Sequence, residues 1–161
     1  MRMVRARFLE LPPAAIVIFE RKDGDGELEV GDELDITIRL AGDARVRVVH
    51  ADACSITLAT LAGHPEAGRI TFGAYRNADG QVIFHIRSRA RASTRANYLG
   101  FVFGGDPMQT ATWTDFVTNV GLTFGAGVEG LVHADTNVID ANEVQPADET
   151  MDGPTFTARA D

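Results

Sequence analysis

Residues 69–91 read RITFGAYRN-ADG-QVIFHIRSRAR, two runs of alternating character on either side of a short break. A three-residue loop, Ala78-Asp79-Gly80, with Gly80 in the left-handed region closes a hairpin by a type I turn and a bulge. In that register Asn77 faces Gln81, Ala74 faces Phe84, and Phe72 faces Ile86. One face then collects Ile70, Phe72, Ala74, Val82, Phe84 and Ile86, and the other carries Thr71, Tyr75, His85, Arg87, Arg89 and Arg91. A slip of one residue would mix phenylalanines with arginines on both faces, so the hydrophobic pattern specifies the pairing.

The same period of two extends upstream. Leu34, Ile36, Ile38 and Leu40 alternate with Asp35, Thr37 and Arg39; Val46 and Val48 alternate with Arg45 and Arg47; Ile56, Leu58 and Thr60 alternate with Ser55, Thr57 and Ala59. KDGDGE at 22–27 and AGDA at 41–44 supply turns. This meander of half-wet strands implies an antiparallel sheet with one dry face. Residues 2–9, RMVRARFL, read as a further strand. LPPAAIVIFE at 11–20 admits two readings: a short helix opened by its prolines, or a strand favoured by Ile16, Val17 and Ile18.

Downstream the period changes. GGDPMQ at 104–109 starts a helix, with Asp106 as N-cap, Pro107 at the first helical position and Gln109 as capping-box partner. Trp113, Phe116, Val117, Val120 and Phe124 form one apolar stripe, and Gly121 and Gly125 end it. Thr110, Thr112, Thr114, Thr118 and Asn119 are poor helix formers, so packing against the sheet must supply most of the stability. Residues 93–103 suggest a weaker helical piece and 130–140 a last strand. The expected organisation is one α+β domain over 1–140, a curved antiparallel sheet gripping a C-terminal helix, followed by an acidic mobile tail over 141–161.

A chain of 161 residues suits one domain with a substantial core. Its formal charge of −8 argues against a general nucleic-acid binder, which needs a basic surface. Five acids against Arg159 in the last 21 residues carry −4 of that charge, so a local basic patch on the body remains open. A single cysteine, Cys54, forms no internal disulfide and points to a cytoplasmic setting. Beside Ile56 and Leu58 it reads as a small core residue. No signal peptide or membrane span is expected.

Chemistry concentrates in TLAGHPEAG at 60–68. In extended geometry His64 and Glu66 point the same way, within reach of a shared proton, ligand or ion. The structural reading of the same residues is a turn shaped by Gly63 and Pro65, with Glu66 satisfying backbone N–H groups or paired with Arg87 or Arg89. The row His85, Arg87, Arg89, Arg91 reads as a solvated outer face. Three of four histidines have an acid two residues on (His50/Asp52, His64/Glu66, His133/Asp135), yet the spacing matches no metal motif; no metal and no cofactor are expected. Phosphate-loop, dinucleotide-binding and nucleophile-elbow patterns do not occur.

Residues 56–91 resemble an uncharacterised family, a domain of unknown function numbered nineteen-ninety. Its motif is close to GTLPGHPExGExxF, matched here by Thr60, Leu61, Gly63, His64, Pro65, Glu66, Gly68 and Phe72. Ile86, Arg87, Ser88 and Arg89 match the strand that follows, and EVGDEL at 29–34 resembles the family's glycine-aspartate strand entry. Ala62 replaces the motif's first proline, Arg69 stands where an acid is usual, and residues 106–121 lack the Arg- and Leu-rich character of the family's C-terminal helix. The resemblance implies a START-like, birch-pollen-allergen (SRPBCC) relative with a helix-grip fold, and brings no activity.

The favoured expectation is a domain that binds a hydrophobic or amphipathic small molecule between sheet and helix, lined by Phe72, Phe84, Ile86, Trp113, Phe116 and Val120. The same residues suit a filled core without ligand. An enzyme of cyclase or hydrolase type, with His64 as base and Glu66 as its orienter, is the second expectation. A homodimeric or other homo-oligomeric interaction module is the third.

Overall fold

The structure, a computed structural model, describes residues 1–39, 42–92, 106–137 and 155–158. The hairpin forms in the expected register. β5 (Glu66–Arg76) and β6 (Val82–Ala92) pair antiparallel, with Phe72 opposite Ile86 and Ala74 opposite Phe84. Gly80 has φ +82°, and the Asn77 N–H donates to the Gln81 carbonyl at 3.0 Å. Phe72 and Ile86 are 0% exposed and Phe84 7%. Val82, on the same face at the mouth of the hairpin, is uncovered and 62% exposed, whereas its neighbour Ile83 on the other face is buried.

The upstream strands β1 (Val17–Arg21), β2 (Glu33–Ile38), β3 (Gly42–Ala51) and β4 (Ser55–Thr60) complete an antiparallel meander of six strands in chain order. Leu34, Ile36, Val46, Val48, Ile56 and Leu58 point inward and are buried, as their alternation requires. The open segment at 11–20 resolves into a turn, in which the Ile16 and Val17 N–H groups donate to the Pro13 carbonyl, and then β1. Two short strands extend the far edge: β8 (Thr155–Ala158) pairs with β6, and β7 (Val132–Ala134) lies outside it. β7 shortens the strand expected over 130–140. Residues 155–158 fall within the expected mobile tail but pair with His85–Arg87, because an open sheet edge accepts any extended backbone. The helical piece expected at 93–103 lies outside the described residues, as does 138–154.

The N-terminus corrects the sequence reading. Residues 2–9 form no strand: α1 (Arg2–Ala6) is followed by a 3-10 turn at Phe8–Glu10. Val4, Phe8 and Leu11, spaced i, i+4 and i+7, turn one buried stripe inward. Arg5 is ion-paired to Glu27, and the Leu28 N–H donates to the Arg5 carbonyl, tying this segment to the β1–β2 connection.

The C-terminal helix α2 (Asp106–Phe124) runs through Gly121 and stops before Gly125. Its stripe faces the inner side of the sheet, with Phe116, Val117 and Val120 buried. Between the two lies Phe8, its ring centroid 5.8 Å from Phe19, 5.0 Å from Phe72 and 5.4 Å from Phe116. Asn119 Nδ2 donates to the Leu11 carbonyl at 2.8 Å, joining helix to N-terminal segment. Phe72 and Phe116, two of the six residues expected to line a ligand space, thus pack against an N-terminal aromatic. Phe8→Ala is expected to cost about 3–5 kcal/mol, read as a lower urea midpoint. Leu9→Ala, on the exposed side of the same turn, is expected to stay within about 0.5 kcal/mol of the parent.

Candidate functional site

The site is built where β4 hands over to β5. Thr60 Oγ1 accepts the Gly68 N–H at 2.9 Å and closes the connection across its base. Within it the His64 N–H donates to the Leu61 carbonyl at 3.1 Å, and Gly63 takes φ +95°, a conformation that a side chain disfavours. Gly68 has a different reason: a Cβ there would come 2.2 Å from the Arg89 carbonyl oxygen on β6. The glycines of GHPEAG are therefore accounted for by backbone geometry.

The His64 ring bends back on its own chain, and Nδ1 accepts the Glu66 N–H at 3.0 Å. That bond uses the Nδ1 lone pair and places the proton of the neutral ring on Nε2. Burial lowers the His64 pKa. His64 is thus a neutral Nε2–H donor, and the Glu66 carboxylate does not orient it.

Glu66 shares the parity of Ile70 and Phe72, so its side chain lies on the helix side of the sheet. There Gln109 Nε2 donates to Oε1. Gln109, expected only as a capping-box partner, thus makes a tertiary contact to the sheet. Burial raises the Glu66 pKa. The ion pair expected between Glu66 and Arg87 or Arg89 is not formed: in the β5–β6 register Arg87 faces Thr71 and Arg89 faces Arg69, on the opposite face. Those arginines make other interactions and are half-buried.

Of the six residues expected to line a ligand space, Phe72, Phe84, Ile86, Phe116 and Val120 are sealed core, and Trp113 is half-buried. The Trp113 ring lies 5.8 Å from Phe72. One helical turn earlier on the same side of α2 is Gln109. Ile70, Ser88, His64 and Glu66 are half-buried as well, so this rim is more open than the centre. Gln109 is expected from sequence only as a capping-box partner and Ser88 only as a motif match, although the i−4 relation of Gln109 to Trp113 is a usable signal for the site.

Elsewhere, His50 Nε2 meets Asp52 Oδ2 at 3.1 Å, and His133 Nε2 meets Asp135 Oδ2 at 2.8 Å, both exposed. Among the described residues no group of three or more His, Cys, Asp or Glu side chains is placed to hold a metal ion. Cys54 is exposed, contrary to the core reading: it sits in the β3–β4 turn, where its N–H donates to Asp52 Oδ1 at 2.8 Å. On the outer face His85 is half-buried over Gly73, where an added Cβ would come 2.6 Å from its Nε2. Burial, then Arg87, lowers its pKa. The expected row of solvated side chains holds for Arg91, not for His85, Arg87 and Arg89.

These shifts set a pH dependence. Glu66 is raised above its ordinary 4.5, so its contribution to stability is present below that value and lost as pH rises through the folded pKa. His64 is lowered below its ordinary 6.5, so its contribution is present above that value and lost as pH falls through the folded pKa. Glu66→Gln is therefore expected to gain in urea midpoint over the parent as pH rises above the carboxylate range. His64→Gln is expected to flatten the acid limb below the histidine value. Parallel midpoint–pH curves for parent and variants would contradict both assignments.

Comparison with known proteins locates the chain by family. No curated protein and no solved structure shows a significant match. A family profile matches residues 14–114, which run from the turn before β1 into the first half of α2 and contain the whole rim on the sheet side. The chain belongs to the family described as a domain of unknown function, DUF1990.

Proposed function

We propose that this is a START-like, helix-grip domain that binds an amphipathic small molecule at the rim formed by the start of β5 and the first turns of α2. An antiparallel sheet with one dry face against a C-terminal helix supports the architecture. The observation that carries the binding reading is Glu66: a half-buried carboxyl on the helix side, held by the Gln109 amide and without an ion pair among the described residues. Carboxyl groups are seldom sequestered this way in a core that needs only packing, because desolvation is costly. Beside it, Ile70 and Trp113 offer half-buried apolar surface, and His64 Nε2–H offers a donor. A polar head at Glu66 and His64 with an apolar body over Ile70 and Trp113 satisfies both kinds of surface.

A second reading, catalysis, is favoured by the opposed shifts of the two groups, which bias an acid toward its protonated form and an imidazole toward its neutral form side by side. In that reading Glu66 is the general acid and His64 a hydrogen-bond donor, since its Nδ1 is already engaged.

Trp113 is the only tryptophan, so its emission reports on the rim directly. Titration with alkyl chains of about eight carbons bearing different heads is expected to give a saturable spectral change. Gln109→Ala is expected to weaken binding about tenfold, roughly 1.4 kcal/mol. The absence of any response across hydroxyl, amide, amine and carboxylate heads would reject the binding reading. Turnover of a bound ester or amide that Glu66→Gln abolishes would favour the catalytic one.

A further inference from the structure

We infer that the rim takes a protonated amine carried on an apolar body, with the ammonium against the Glu66 carboxylate and the body over Ile70 and Trp113. This rests on the rim-binding reading above and narrows it to a chemical class. The β5–β6 register sends Arg87, Arg89 and Arg91 to the outer face, so the positive charge of β6 stays away from Glu66. The only side-chain partner of Glu66 among the described residues is the neutral amide of Gln109, which engages Oε1. Among the described residues no side chain donates to Oε2, which can accept from an incoming donor.

A carboxylate drawn out of water without a counter-charge is stabilised either by a proton or by a cation. An ammonium supplies the second: it carries three N–H donors and a full charge, and its hydrogen bond to a carboxylate is stronger than one between neutral groups. Trp113, one helical turn beyond Gln109, offers apolar surface for the body. The competing heads fit less well. A metal ion would need further ligands, and among the described residues no group of three or more candidates assembles. His64 cannot supply Nδ1, which accepts the Glu66 N–H. A carboxylate head would meet the charge of Glu66 or have to share its proton. The N-terminal end of α2 favours anions, but the Glu66 carboxyl already meets Gln109 in the first turn of that helix.

The test compares octylamine, octanol and octanoate on the parent protein and on Glu66→Gln, read by Trp113 emission. At about pH 8 octylamine is expected to bind about tenfold more tightly than octanol, and the preference should shrink on acidification as Glu66 takes up its proton. Glu66→Gln is expected to remove the preference, so that octylamine binds that variant no more tightly than octanol binds it. Should that variant fail to fold, calorimetry of the parent in two buffers of different ionisation heat decides: in the range where Glu66 titrates, octylamine must release a proton and octanol must not. Equal affinity for amine and alcohol, a preference for octanoate, or amine binding without proton release overturns the amine inference while the rim reading stands. Failure of all three compounds to bind overturns both.

Discussion

Phe8 stands edge-on to Phe19 and Phe72 and tilted against Phe116, so a residue from the first turns of the chain is packed by two strands and the C-terminal helix. A twisted antiparallel sheet presents a concave dry face that a single helix cannot cover evenly. The short N-terminal segment fills the difference, and Val4, Phe8 and Leu11 supply the volume. The helix depends on this arrangement more than most, since its threonines favour helix weakly and its stability derives from what its apolar stripe touches. The Asn119 bond to the Leu11 carbonyl fixes helix and N-terminal segment to each other at the same place.

Filling the centre determines where polar chemistry can sit. With Phe72, Ile86 and Phe116 sealed, groups on the helix side that retain access to solvent lie toward the start of β5, beyond the reach of Phe8. Glu66 and His64 are there, each shifted by burial toward its neutral form. The GHPE turn therefore joins two roles that the residues alone left as alternatives. Gly63 and Gly68 serve backbone geometry, while the two titratable side chains are half-buried near an apolar surface.

The hairpin at 69–91 was legible because each of its constraints pointed to one register: a glycine for the left-handed position, phenylalanines on one parity and arginines on the other. The N-terminal helix was not. Its five residues are too few for a period to stand out, although Val4, Phe8 and Leu11 follow helical spacing once Phe8 is known to be buried. Cys54 was misread because adjacency to Ile56 and Leu58 was taken as burial, whereas the chain is still turning at that point. The Glu66–arginine pair failed on parity: an even-numbered position on β5 cannot meet odd-numbered side chains on β6 in this register.

By itself the sequence determined the strand meander, the hairpin register, the apolar stripe of the helix and the turn at GHPE. These follow from local rules, the period of two, the period of 3.6 and the conformational freedom of glycine, which act over a few residues and leave a visible pattern. Only the tertiary structure decided what fills the space between sheet and helix, and that Gln109 rather than an arginine meets Glu66. Both contacts join residues far apart in the chain, Phe8 with Phe116 and Glu66 with Gln109, and no periodicity along a sequence records which distant side chain arrives at a given surface.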